Sequence, residues 1–222
     1  MAWKNLLRQT QRYLDRVQNP YPKAERLLYS FGTPEDLNLW TVFSDKEYGG
    51  KSKAELTLAA AEPSHAVFRG LISSDIEESE DGPSKRMQRS GFAGINTEDM
   101  QGHYLDMDGY DALSFRLNGD GRKYIASLRV DNWIVGETSH DVWQAFLFAR
   151  KGGWHDVTVS LDRFLQTHKG RLIETRQELN IHRILSLGIS TASLGDAKQD
   201  GPFCLGIESI KAKRQGISPV EE

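Results

Sequence analysis

The chain of 222 residues is 38% hydrophobic and 27% charged with a net charge of −3, the profile of a globular protein and not of a basic nucleic-acid binder. That length suits one large domain or two small ones, with enough chain to bury a sizeable core. The single cysteine, Cys204, excludes an internal disulfide framework, and no apolar run approaches the roughly 20 residues of a membrane-spanning helix.

Residues 1–18 come first. Trp3, Leu6, Leu7, Tyr13, Leu14 and Val17 recur at helical spacing, while Lys4, Arg8, Arg12 and Arg16 line one face. Asp15 is the only acid in the stretch, and Asn19-Pro20-Tyr21-Pro22 stops it. The pattern predicts a short basic amphipathic helix, with residues 1–22 as helix and proline linker. Such a helix suits a mitochondrial-type targeting segment, an anionic membrane surface, a partner's groove or plain packing on its own domain. Trp3, Lys4, Leu7, Arg8, Arg12 and Arg16 are its candidate partner or membrane contacts. A continuous apolar core of the secretory type is absent from this N-terminus.

From residue 23 the period changes to two. Arg26–Phe31, Leu39–Phe43, Lys53–Leu58, Ala66–Ile72 and Phe92–Ile95 are the early strand candidates. Between the last two, acids from Asp75 to Asp81 are followed by Lys85, Arg86 and Arg89, so 75–89 reads as a mobile, solvated loop. Leu113, Phe115 and Leu117 alternate with other residues, as do Tyr124, Ala126, Leu128 and Val130. Asn118-Gly119-Asp120-Gly121 lies between them, and the pair predicts a β-hairpin. Trp143–Phe148 is apolar on both parities, as in a central strand, which assigns Trp143, Phe146 and Phe148 to the core. Val157, Val159 and Leu161, then Leu185, Leu187 and Ile189, then Phe203–Ile210 complete the set. Leu161–Gln166 and Glu174–Asn180 are expected to form single helical turns. All seven prolines fall outside the predicted strands. Many short strands without interleaved helices predict an all-β antiparallel sandwich or jelly roll over 23–214, with 215–222 as a tail.

Little in the chain resembles a reaction centre. The six histidines lack the close spacing of a helix-borne zinc pair. Asp106-Met107-Asp108-Gly109-Tyr110-Asp111 lacks the frame and closing glutamate of a calcium loop and is better explained as a turn. There is no phosphate-binding loop and no Gly-x-Ser-x-Gly elbow. Asp120, Asp131, Asp156 and Glu208 sit at strands or strand ends, where paired carboxylates could serve glycoside hydrolysis, but acids there more often serve turns and solubility. Cys204, inside an apolar run, is expected to be a buried structural thiol. The expectation is a protein without catalytic residues, cofactor or metal.

Several blocks together carry a resemblance. They are Trp40…Ser44-Asp45…Gly49-Gly50…Ser52, then Ser90-Gly91-Phe92-Ala93-Gly94-Ile95, then Asp108-Gly109-Tyr110-Asp111-Ala112-Leu113. Gly119-Asp120-Gly121-Arg122-Lys123-Tyr124, Asn132-Trp133, Trp143-Gln144-Ala145-Phe146 and Asp200-Gly201-Pro202-Phe203 follow in order. The ordered set resembles the complex I intermediate-associated protein 30 family from about Phe31 to Ala212. Trp40, Gly49, Gly50, Gly91, Asp108, Gly109, Gly119, Asp120, Gly121, Trp133 and Trp143 are its structural motif residues. Some members carry a long N-terminal extension; here residues 1–22 alone are expected before the domain.

The resemblance implies a galactose-binding-like, carbohydrate-module-like β-sandwich. It also implies a non-catalytic, chaperone-like assembly factor for mitochondrial respiratory complex I. Its partners would be membrane-arm intermediates and other assembly factors, on the matrix side of the inner membrane. The alternative is a carbohydrate-binding module, in which Trp133 or Trp154 would stack on sugar rings; fold alone does not decide between them.

Overall fold

A computed structural model describes residues 23–60, 64–75, 90–98, 104–131, 141–168, 170–173, 178–193 and 199–215. The predicted helix over 1–18, the candidate contacts upon it, Trp133 and nearly all of 75–89 and 215–222 lie outside these residues.

Thirteen strands are described, in two sheets. The first sheet runs β3 (Lys53–Leu58), β4 (Ala66–Ile72), β13 (Gly201–Lys213), β6 (Ala112–Asn118) and β9 (His155–Ser160), with β1 (Glu25–Ser30) also paired to β13. The second runs β11 (Arg171–Leu172), β10 (Leu165–His168), β8 (Asp141–Phe148), β7 (Lys123–Val130), β12 (Ile184–Ala192), β5 (Phe92–Thr97) and β2 (Trp40–Ser44). Neighbouring strands are antiparallel throughout. A single helical turn, α1 (Pro34–Leu37), is closed by a capping box between Thr33 and Asp36.

The core lies between the two sheets because alternate side chains must leave a strand on opposite faces. Phe68, Phe115, Leu117, Leu205 and Ile207 enter it from the first sheet; Ile95, Tyr124, Leu128, Leu147, Leu187 and Ile189 enter from the second, all fully buried. Each such large side chain stabilises the fold by about 1.5–3 kcal/mol on burial. In β13 a register shift between Ile207 and Ser209 changes the inward parity, from Phe203, Leu205 and Ile207 to Ile210 and Ala212.

The all-β sandwich and most strand positions agree with the sequence expectation. Five details differ. First, β6 and β7 do not form a hairpin: β6 pairs with β13 and β9, while β7 pairs with β12 and β8. The glycine-rich turn instead carries the chain from one sheet to the other. Second, Phe146 and Phe148 face solvent, while Trp143, Ala145 and Leu147 take the inward parity of β8. Third, Leu185 is the extra residue at a register shift between Ile184 and Ser186, so Ile184 packs inward in its place.

Fourth, within the expected turn over Leu161–Gln166 the helical part is Leu161–Arg163 alone, and Leu165–His168 is already a strand paired with β8, while more than half of Glu174–Asn180 lies outside the described residues. Fifth, Pro202 lies within β13, and Cys204 is exposed. Pro202 is tolerated because that stretch of β13 pairs with β4 before β6 joins at Gly206. Cys204 has the outward parity between Phe203 and Leu205. Partial burial, then the Asp120 carboxylate, pushes its thiol pKa up, which keeps the thiolate scarce.

Gly121 holds φ +92° at the sheet-to-sheet turn, a region that β-branched side chains avoid. Gly121→Val is expected to cost about 1–3 kcal/mol of stability, read as a lower urea midpoint with unchanged m-value.

Candidate interaction surface

The motif residues build two hydrogen-bonded knots, the first buried and the second partly exposed. In the first, the Ser44 hydroxyl accepts from Lys46 N–H at 3.3 Å and starts a short 3₁₀ turn over Asp45–Tyr48. Gly49 ends that turn at φ +88°, and Gly50 N–H donates to the Asp45 carbonyl at 2.9 Å. This geometry folds Asp45 under the loop, where it is fully buried. Its carboxylate accepts from Ser52 N–H and Ser52 Oγ, each at 2.9 Å, from Gly91 N–H and from Phe92 N–H at 3.3 Å. Ser52 Oγ also accepts from Ser73 N–H at 3.1 Å. A Cβ on Gly50 would stand 2.3 Å from the Asp45 carboxyl carbon, so only glycine fits.

The second knot is centred on Asp120. One carboxylate oxygen accepts from Arg122 N–H at 2.9 Å; the other accepts from Tyr124 OH at 3.1 Å and from Cys204 N–H at 2.8 Å. The Arg122 guanidinium continues to the Gln199 and Asp200 carbonyls. Burial, then the negative charge of Asp120, pushes the Tyr124 hydroxyl well above its ordinary value, so it stays a donor. A Cβ on Gly119 would meet the Ala149 backbone at 2.5 Å. Trp40 is buried against Phe31 and Tyr29, and Trp143 is buried in the core. Asp108 and Gly109 form a turn in which Asp108 N–H donates to Asp106 Oδ1 at 3.0 Å and Gly109 takes φ +78°.

The four acids weighed for hydrolysis are dispersed. Asp120 serves its knot. Asp131 binds Arg183 at 2.6 Å, and Tyr104 donates to the same oxygen. Asp156 and Glu208 flank Arg116, at 3.7 Å each, in a shallow groove on the outer face of the first sheet. Among the described residues no cluster of metal-binding side chains forms. Trp154 is half-buried, edge-on to His65, with its ring against Gly206. Neither it nor the other described tryptophans forms an open coplanar platform.

The two outer faces differ in chemistry. On the first sheet most charges are paired: Arg69 with Glu55, Arg116 with Asp156 and Glu208, and Lys211 and Lys213 with Glu25, whereas exposed Lys53 makes no ion pair among the described residues. On the second sheet, side chains directly opposite in register share a face. One row reads Phe146, Ile125, Ser190, Gly94, Phe43; others place Phe148 beside Lys123, Leu165 beside Gln144 and Leu172 beside Thr167. Exposure is 53% for Phe146, 60% for Phe148, 54% for Leu165 and 62% for Leu172. At the far end the Phe43 ring lies over Gly94, where a Cβ would approach it to 2.3 Å.

Two packed antiparallel sheets with loops knotted at their corners define a jelly-roll β-sandwich, a fold that carbohydrate-binding modules also adopt. Similar solved structures include the family 11 carbohydrate-binding module of the cellulosomal cellulase Lic26A-Cel5E of Clostridium thermocellum. Its TM-score is 0.61 at 13% identity, covering 87% of this chain and 96% of that one. A family 11 module from Clostridium thermocellum in complex with a β-1,3-1,4-mixed-linked tetrasaccharide gives 0.59 at 15% identity, over 87% and 97%. At such identities the likeness defines fold alone.

The chain belongs to the complex I intermediate-associated protein 30 family, whose model matches residues 29–207. Relatives bearing that name, each designated mitochondrial, include one from Mus musculus, 29% identical over 87% of this chain and 58% of that protein. The Drosophila melanogaster relative is 29% identical over 85% and 63%, and that of Neurospora crassa 27% identical over 90% and 80%. The chain thus spans about three-fifths of the mouse and fly proteins. Both knots lie within the matched span.

Asp45→Ala leaves buried donors unanswered, at roughly 1–3 kcal/mol each. The variant is expected to lose at least about 3 kcal/mol in denaturant unfolding or to fail to fold. A second outcome concerns acid. Hydrogen bonds from Lys213, then Lys211, hold Glu25 below its ordinary 4.5 against the opposing effect of partial burial. Because the folded value is depressed, this stabilisation is present above 4.5 and is lost as pH falls through the folded value. Glu25→Gln is expected to shallow the decline of thermal midpoint on that acid limb.

Proposed function

We propose that this protein is a non-catalytic, chaperone-like assembly factor that binds membrane-arm intermediates during assembly of mitochondrial respiratory complex I. The observation that carries the reading is the family match over residues 29–207, with the motif residues turned inward as structural knots. A motif that builds scaffold, not a convergent reactive centre, suits a protein that holds a partner. Reversible holding needs a few anchors and no bond-making groups.

In this reading the protein works with other assembly factors on the matrix side of the inner membrane. The basic residues Lys4, Arg8, Arg12 and Arg16 suit an anionic leaflet, where each contributes about 1 kcal/mol, while Trp3 and Leu7 supply apolar contact. The carbohydrate-module alternative has the fold in its favour and nothing further, since the stacking platform it needs does not form among the described tryptophans.

Affinity purification of the tagged full chain from mitochondria, followed by mass spectrometry, is expected to recover membrane-arm subunits of complex I together with assembly proteins. Recovery of glycans or of an unrelated pathway would end this reading. Deleting residues 2–18 is expected to leave the unfolding midpoint unchanged and to lower co-fractionation with membranes; unaltered co-fractionation would remove the role given to that segment.

A further inference from the structure

The β8–β10–β11 end of the second sheet carries an exposed apolar group rimmed by positive charge. Phe146 and Phe148 stand 6.1 Å apart, ring to ring. Leu165 is opposite Gln144, and Leu172 opposite Thr167, on the same face. Lys123 lies directly across from Phe148; Arg150 and Lys151 follow β8, Arg163 precedes Leu165, and Arg171 precedes Leu172. All five cations are exposed, and none makes an ion pair among the described residues. On the opposite sheet four cations, Arg69, Arg116, Lys211 and Lys213, are answered by carboxylates of the chain itself, while Lys53 is not. Among the described residues, neither apolar cover nor an ion-pairing carboxylate meets this end of the second face.

We propose that this face seats an acidic amphipathic segment of a partner protein, with apolar side chains on Phe146, Phe148, Leu165 and Leu172 and flanking Asp or Glu side chains on Lys123, Arg150 and Arg163. This inference deepens the assembly reading and rests on it for the partner being a protein. The geometry favours a polypeptide over a bilayer. Gln144, Ser127 and Ser190 lie in the same rows as the apolar side chains, and Thr167 donates to Gln144 Oε1 at 3.1 Å. Hydrocarbon would strand such groups, whereas a peptide backbone and polar side chains can hydrogen-bond to them. Aromatic anchors inside a charged rim are the usual division of labour at protein interfaces, the anchors setting affinity and the rim setting orientation and rate.

The test uses the full chain and an array of amphipathic peptides with Glu flanks, beside the same peptides with Lys for each Glu. Vesicles of phosphatidylcholine and cardiolipin form a third arm. Acidic peptides are expected to bind, their Lys counterparts not. Binding is expected to fall at least about tenfold in Phe146→Ser/Phe148→Ser and several-fold in Lys123→Glu/Arg163→Glu, and to weaken with salt. Both pairs replace exposed side chains, and an unchanged unfolding midpoint verifies each variant. Equal binding of both peptide sets, or binding to vesicles alone, overturns the proposal.

In mitochondria, a Phe146→Ser/Phe148→Ser protein that still co-migrates with complex I intermediates as the wild type does overturns this face while leaving the assembly reading intact. If the wild type itself does not co-migrate, the assembly reading fails, and the peptide arm alone decides the surface.

Discussion

A fully buried carboxylate, Asp45, is the interaction on which the arrangement of this molecule turns. An ionised group taken out of water has to be met by donors, and here they come from separate parts of the chain. Ser52 precedes β3, Gly91 and Phe92 open β5, and Ser52 in turn holds the residue after β4. Two of those strands belong to one sheet and one to the other, while Asp45 itself directly follows β2 of the second sheet. The knot thus fastens the two layers at a corner. Asp120 does the same elsewhere, tying the β6–β7 crossing to β13. With corners fixed by hydrogen bonds and the interior filled by apolar side chains, the outer faces are left to vary in chemistry.

That freedom is used unequally. The outer face of the first sheet carries ion pairs that largely cancel locally, with Leu27 and Leu71 exposed singly among them. The outer face of the second sheet exposes large apolar groups in register, beside cations that make no ion pair among the described residues. The proposed holding of an unfinished complex would draw on such a division, with the adhesive groups gathered on one side. The match to the complex I intermediate-associated protein 30 family covers both knots, which lie within residues 29–207 and maintain the frame beneath these faces.

Much of this frame was legible in the sequence. Alternation located most strands within two or three residues, and the glycines of the motif marked real turns. What could not be read was which layer each strand joins. A turn with Gly119 and Gly121 serves a hairpin or a crossing between sheets equally well, and only the pairing partners distinguish them. Phe146 and Phe148 were misassigned because β8 is apolar on both parities; yet Trp143, Ala145 and Leu147 already filled the inward side, and a two-layer sandwich has only one inward side. Cys204 yields to the same reasoning, since Phe203 and Leu205 claim the core. Asp45 belonged to the recognised motif, but nothing in its neighbours revealed that it would be enclosed. The bulges at Leu185 and after Ile207 shift parity by one residue, and alternation alone does not predict where a strand will slip.

β13 has a consequence for how the chain acquires its shape. One strand near the end of the described sequence is the shared neighbour of β1, β4 and β6, so the first sheet has no centre until residues 201–213 are present. During synthesis or threading through a translocon from the N-terminus, β1, β4 and β6 must wait with open hydrogen-bonding edges for their common partner. Contacts this distant in sequence are slow to close and leave strands vulnerable to mispairing meanwhile. The chain therefore depends on protection until β13 arrives.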